Sequence, residues 1–309
     1  MQCRFGSKAM LLARSLILVS LLQGISGGVI GIPVRAAVEC EIPGPTTSLT
    51  GTATPGEDQI EATPLSPRAI TRNRLEKLVQ AVSACKTAAD FETMSRLVTE
   101  RYLGQVYGGG PRLTRETFLA IADTLPTPRI RFREFDDLVI TGPGAARANV
   151  RLVVGNQVTF ERLTFVEDNN RPGFWLIDST APLRVRPPRN HDRIDVTMTG
   201  NQYTPAVLTA ANATVDIRAA NDDSQAHELL VLQLADSVTT GALLLHIGPD
   251  FPDGVAYLGQ VTIPAQSSGN MVLVGLKPGT YTIVDLLPSA NGVPHLSLGM
   301  QATLTITGD

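Results

Sequence analysis

The chain is poor in the residues that usually announce chemistry. Among 309 residues there are one Trp, three Cys and four His, and aromatic residues make up 5 %. No block of Lys and Arg interleaves with aromatics, so the footprint of a nucleic-acid binder is missing. Hydrophobic residues at 43 % and charged residues at 18 % exclude wholesale disorder. The four histidines, His191, His227, His246 and His295, all fall in the C-terminal part. Imidazole chemistry therefore belongs there, and about two domains' worth of chain is available to house it.

Residues 1–36 read as an export signal. Arg4, Lys8 and Arg14 precede an apolar run from Leu16 to Leu22, and Val34-Arg35-Ala36 ends in a small-x-small cleavage pattern. Cleavage would remove four basic residues and no acid, moving the net charge from −3 to −7. The alternative is an uncleaved anchor, weakened by Gln23 and the Gly27-Gly28 pair, and only that alternative implies membrane contact. Export predicts a secreted or cell-envelope location. Cys3 leaves with the signal, so Cys40 and Cys85 are the pair available for a disulfide unless Cys85 is simply a small apolar residue inside a helix. Residues 37–67, rich in Pro, Thr, Ser and Gly without apolar periodicity, are expected to be a disordered linker.

From Thr71 the spacing becomes helical, with Leu75, Leu78, Val79 and Val82 on one face. A second helix is predicted after Lys86-Thr87, carrying Phe91, Met94, Leu97, Val98 and Tyr102, and a third from Thr114 to Asp123 with Thr114 as its N-cap. The period then shifts toward two, in Ile130 to Phe135, Ala148 to Val154, Val158 to Phe165 and Gly173 to Asp178. Gly155-Asn156 and Asp168-Asn169-Asn170 stand where hairpin turns are needed. Asp136-Asp137 reads as a turn and Asp90 as a helix start. Helices followed by an antiparallel meander are an α+β pattern.

By this element order and its closing Phe174-Trp175-Leu176-Ile177-Asp178 strand, the segment 68–188 resembles the NTF2-like (SnoaL-like) superfamily, a cone of helices wrapped by a curved sheet. The resemblance implies either a small-molecule enzyme or a binding module, since members do both. An enzyme of this shape would need an acid or base in the cone. This half holds no histidine, and Glu116 and Asp123 are the only acids near the apolar side of the third helix. A small apolar ligand, or none, is the expectation for the cone.

After a proline-rich hinge, Arg186-Pro187-Pro188-Arg189-Asn190, residues 192–309 read as all-β. Seven short strands, separated by turn residues, predict a Greek-key sandwich, with a short helix interrupting near residues 236–250. Three segments rise above a generic sandwich: Tyr203-Thr204-Pro205, the polar loop from Asn221 into His227, and Gly279-Thr280-Tyr281 running through Asp285 and His295 to Met300.

Together these resemble the cupredoxin, or blue-copper, family across nearly all of 192–309. The resemblance implies that His227 takes the place of the first ligating histidine, His295 of the second and Met300 of the axial methionine. The steps from 285 to 295 and on to 300 match longer-loop members such as the copper nitrite reductase domains. Where the family has its cysteine, this chain has Asp285. A blue site depends on a copper–thiolate bond that a carboxylate cannot supply. The resemblance then implies a non-blue site of His227, Asp285 and His295, with Met300 nearby, suited to copper as Cu(II) or alternatively to zinc as Zn(II). A sandwich that keeps the frame and holds no metal is the other reading. Glu228 would join only if its strand turned it inward, which its neighbour His227 argues against.

The whole chain is thus expected to be an exported two-domain binding or interaction protein, an α+β NTF2-like cone followed by an all-β cupredoxin-like sandwich. The competing expectation is an enzyme or ligand carrier using the cone, with a structural sandwich. An unknown protein or a small apolar ligand is the expected partner.

Overall fold

A computed structural model describes residues 40–43, 67–108, 110–246 and 251–308. The expected export signal and most of the expected linker lie outside the described residues. Among the described residues no helix is long and apolar enough to cross a membrane.

Helix α1, Pro67–Thr87, buries Leu75, Leu78, Val79, Val82 and Cys85, the face its spacing predicts. The expected second helix is broken into α2, Phe91–Ser95, and α3, Glu100–Leu103, followed by a π-helical turn, Gly104–Gly108. The break has a visible cause. Val98 bridges Ile177, Thr99 N–H donates to the Ile177 carbonyl and Ile177 N–H donates to the Leu97 carbonyl, so residues 97–99 pair with a strand instead. Thr99 then caps α3 by accepting from Tyr102 N–H. Phe91, Met94, Leu97, Val98 and Tyr102 are buried all the same, which is why the periodicity survives the break. Helix α4, Arg115–Ile121, starts at Thr114, whose side chain accepts from Thr117 N–H as expected of an N-cap.

Part of the expected linker is ordered. Cys40 is disulfide-bonded to Cys85, and Ile42 packs against the same core as α1.

Four antiparallel strands follow: β1, Ile130–Gly142, β2, Ala145–Val154, β3, Gln157–Glu167, and β4, Trp175–Pro182. Asp136 and Asp137, expected in a turn, sit inside β1 at a register shift, where Asn149 Nδ2 donates to Asp137 Oδ2 at 2.8 Å. The shift absorbs the extra residues without ending the strand.

Among the described residues the C-terminal part has nine strands where the spacing predicted seven. They are β5 (Asp192–Thr199), β6 (Gln202–Thr204), β7 (Val207–Ala210), β8 (Val215–Asn221), β9 (His227–Leu234), β10 (Val255–Ile263), β11 (Ser267–Leu273), β12 (Gly279–Val284) and β13 (Gln301–Ile306). The two additional strands, β6 and β7, have three and four residues, too short to show alternation. The expected interrupting helix is α5, Thr240–Leu245. One layer runs β10-β9-β12-β13-β7 and the other β11-β8-β5-β6, with β5–β8 and β13–β7 parallel.

The second layer does not stop at β11. It continues through β3 into the N-terminal meander, with Val272 opposite Val158 and Leu273 opposite Gln157. The β2–β3 turn is wedged against the sandwich. Asn156 Nδ2 donates to the Val274 carbonyl at 2.7 Å and Asn156 N–H to the Leu258 carbonyl at 2.8 Å. Gly155 fits there with φ of 62°, and a Cβ would lie 3.0 Å from the Leu258 oxygen. A close approach in a left-handed conformation is a position for glycine. The hinge therefore bypasses a direct sheet junction between the two halves.

Candidate metal centre

Alternation along β9 sets the site. His227, Leu229 and Val231 face the sandwich core, whereas Leu230 and Leu232 belong to a separate cluster with Leu243, Val284 and Leu296. His227 enters at the first residue of the strand because the loop before it is tied down. Asn221 Nδ2 donates to the carbonyls of Gln225, Ile263 and Pro264, and its Oδ1 accepts from Asp223 N–H.

Asp285 follows the last residue of β12, and His295 opens a short 3₁₀ turn, His295–Leu298. Main-chain bonds close the loop between them: His295 N–H to the Leu287 carbonyl, Leu296 N–H to the Asp285 carbonyl, Met300 N–H to the His295 carbonyl and Asp285 N–H to the Met300 carbonyl.

His227, Asp285 and His295 are brought together with no exposed surface. His227 Nδ1 lies 2.7 Å and His295 Nδ1 3.0 Å from the same oxygen, Asp285 Oδ2, and the two rings are 4.5 Å apart. Asp285 Oδ1 accepts from Leu287 N–H at 2.8 Å. His227 Nε2 is 3.1 Å from Asp223 Oδ2, whereas His295 Nε2 is buried and has no partner among the described residues. Met300 is buried in the sandwich core, its main chain joining His295 to Asp285. His191 bonds the Pro188 carbonyl, His246 is exposed at the end of α5, and neither belongs to the cluster.

Burial by itself would lower the His227 pKa, but hydrogen bonds to Asp285 and Asp223 outweigh it and the value is raised. The hydrogen bond from His227 holds Asp223 below the usual carboxylate range against the effect of burial. Carboxylates stand at both nitrogens of His227, and a metal bound at Nδ1 would displace any proton shared there with Asp285.

Asp223 escaped the sequence reading, and the burial of Glu228 was not foreseen in it. Asp223 supplies the carboxylate that a ligating histidine commonly holds with its other nitrogen, and its place four residues before His227 in a polar loop was the available signal. Glu228 does face away from His227, as alternation requires, yet it is buried and bears on the site from behind. Its Oε1 accepts from Leu286 N–H at 2.9 Å and its Oε2 from Gln260 Nε2 at 2.6 Å. Burial, with the nearby Asp285 charge adding, pushes its carboxyl up to about 7.

The donor set suits an ion. Two imidazole nitrogens, which are borderline donors, and a harder carboxylate oxygen, all within 4.8 Å of one another, form a set that Zn(II) or Cu(II) accepts. Bonds of about 2.0–2.1 Å would hold such atoms roughly 3.3 Å apart in a tetrahedron. The observed 2.7 and 3.0 Å are hydrogen-bond distances, so these two edges would open by about 0.6 and 0.3 Å to accept an ion.

No protein-family model matches the chain, and no curated relative matches it. Solved structures do. Reduced auracyanin from the photosynthetic bacterium Roseiflexus castenholzii is 18 % identical, covering 37 % of this chain and 96 % of its own, with a TM-score of 0.30. Auracyanin A, a blue copper protein from Chloroflexus aurantiacus, is 17 % identical over 38 % of this chain and 100 % of its own, also at 0.30. Rusticyanin, another copper protein, is 13 % identical over 38 % of this chain and 78 % of its own, at 0.25.

Proposed function

We propose that this is an exported metal-binding protein whose C-terminal cupredoxin-like sandwich holds a non-blue Cu(II) or Zn(II) ion between His227, Asp285 and His295. The observation that carries the reading is the convergence of two imidazole Nδ1 atoms on one carboxylate oxygen, all fully buried, with Asp223 on the far nitrogen of His227. The bound ion would act as a charged, redox-inert or weakly coloured centre, because the thiolate that defines blue copper is replaced by a hard oxygen donor. The residues themselves orient one another: Asp223 turns His227, and the loop bonds hold Asp285 against His295.

The N-terminal half is read as an NTF2-like module in a supporting role. An enzyme or small-molecule carrier built on it finds less support. Its core holds no buried carboxylate or imidazole among the described residues, and its enclosed base, Lys86, is taken up by the Tyr102 hydroxyl at 3.0 Å and by the faces of Tyr102 and Tyr107.

The test is titration of the purified full chain with Cu(II) and Zn(II). Stoichiometric uptake without an intense visible band is expected, with loss of uptake in His295→Ala. Asp285→Cys, which restores a thiolate, is expected to turn intensely coloured with Cu(II). Uptake by His295→Ala equal to that of the parent would sink the assignment. No uptake by the parent would leave the trio as a purely structural tie.

A further inference from the structure

A groove of about 1020 Å³ on the outer face of the β5–β8–β11 layer takes no part in the metal centre. Its floor carries two closed ion pairs, Arg193 with Asp195 at 2.8 Å and Arg218 with Asp216 at 2.9 Å. Their charges cancel. One wall is the segment after β4, and there Arg184 and Arg186 are exposed and have no ion-pair partner among the described residues. Val185 between them packs onto Val153, Val158 and Val272, which anchors the segment and turns the two arginines away from that cluster. The groove thus carries two uncompensated guanidinium groups in a chain of net charge −3.

We propose that this groove docks an extended, acidic segment of a partner protein with Asp or Glu at alternate positions. Arg184 and Arg186 are two residues apart, and in an extended chain that repeat is about 7 Å. An extended peptide with acids at alternate positions has the same repeat, so two carboxylates meet two guanidinium forks in register. The chemistry of the groove argues against other occupants. The large hydrophobics that stand exposed, Val139, Ile140, Val207, Leu244, Leu245 and Leu298, all lie outside it. It therefore offers no apolar wedge to a bilayer and no aromatic platform to a base or sugar ring. The floor is formed by side chains of neighbouring strands, mostly polar or small, along which an extended backbone can lie.

The test uses the full chain and two labelled peptides of equal composition, one alternating Glu and Ala and one with its Glu residues in a block, read by fluorescence anisotropy at low and high salt. The alternating peptide is expected to bind more tightly and to be released by salt. Arg184→Gln with Arg186→Gln should weaken it by about tenfold or more while leaving the melting temperature unchanged. Arg184→Lys with Arg186→Lys, which keeps the charge and loses the fork, should fall in between. Equal binding of the two peptides, or equal binding by the Gln variant, would overturn the proposal. So would arginine-dependent binding of inorganic polyphosphate or phosphatidylserine vesicles without binding of either peptide. A lowered melting temperature in the Gln variant would place the arginines in the fold and overturn the premise that they are free.

Discussion

The two halves of the molecule bury polar groups in opposite ways. In the N-terminal core the buried polar side chains among the described residues include Ser83, Ser95 and Asn149, with no carboxylate or imidazole among them. Ser83 and Ser95 bond carbonyls of their own helices, four and three residues back. The C-terminal part buries Asp216, Asn221, His227, Glu228, Asp285 and His295, and Asp285 joins partners 58 and 10 residues away. The first half also encloses one ammonium, Lys86, but satisfies it against the Tyr102 hydroxyl and the faces of Tyr102 and Tyr107 with no carboxylate in the cluster. The second half instead gathers a carboxylate and two imidazoles at one point, and the desolvation that this costs points to a site rather than to a fold requirement.

The largest effects should separate the halves by function. Asp285→Ala leaves two buried imidazoles without their acceptor and is expected to cost about 3–5 kcal/mol. Phe118→Ala opens a cavity beside Phe91 and Tyr107 and should cost a similar ~3–5 kcal/mol. Urea unfolding would register both, but only Asp285→Ala should lose metal uptake. Loss of uptake in Phe118→Ala as well would break the distinction.

Acidity should discriminate next. Glu228, pushed up to about 7, holds its proton in the folded state where the unfolded chain releases it near 4.5. Its stabilising contribution is full below pH 4.5 and is lost as pH rises through about 7. His227, also raised, acts in the same direction: its contribution is full below its ordinary 6.5 and is lost as pH rises through the raised value. Asp223 opposes them only in acid, as pH falls through its lowered value. The metal-free protein should accordingly gain stability on going from pH 8 to pH 6. Glu228→Gln should remove about 1.4 kcal/mol of that dependence, measured by urea midpoints across pH. An unchanged slope in the variant would move the effect elsewhere.

The smallest expected effect lies at the junction. Asn156→Ala removes a side-chain bond to the Val274 carbonyl and should cost about 1 kcal/mol. Hydrogen exchange should show faster opening where β3 meets β11, with the metal centre unaffected. Weakened metal uptake would mean that the halves are coupled through that seam, for which a path exists: Gln157 Oε1 accepts from Gln260 N–H, and the Gln260 side chain bonds Glu228.

Much of the frame was legible in the residues. Helical spacing located the α1 face, alternation located the longer strands, and turn residues located Gly155-Asn156 and the His227 loop. What misled was local pattern without its context. Val98 kept helical spacing while pairing with Ile177, and Cys40 stood in linker-like sequence while bonded to Cys85. In both cases the deciding partner is 45 or more residues away, beyond the reach of any periodicity.

The sequence by itself determined the order of elements, the confinement of imidazole to the C-terminal part and the presence of a carboxylate, Asp285, rather than a thiol between His227 and His295. Those properties are local, because propensity, turn chemistry and residue identity act over a few neighbours. Only the tertiary structure decided that His227 and His295 share one oxygen of Asp285, that Asp223 and Glu228 flank them, and that one sheet runs through both halves. Each of these depends on how two layers pack and on which side chains that packing strips of water, and no neighbour along the chain carries that information.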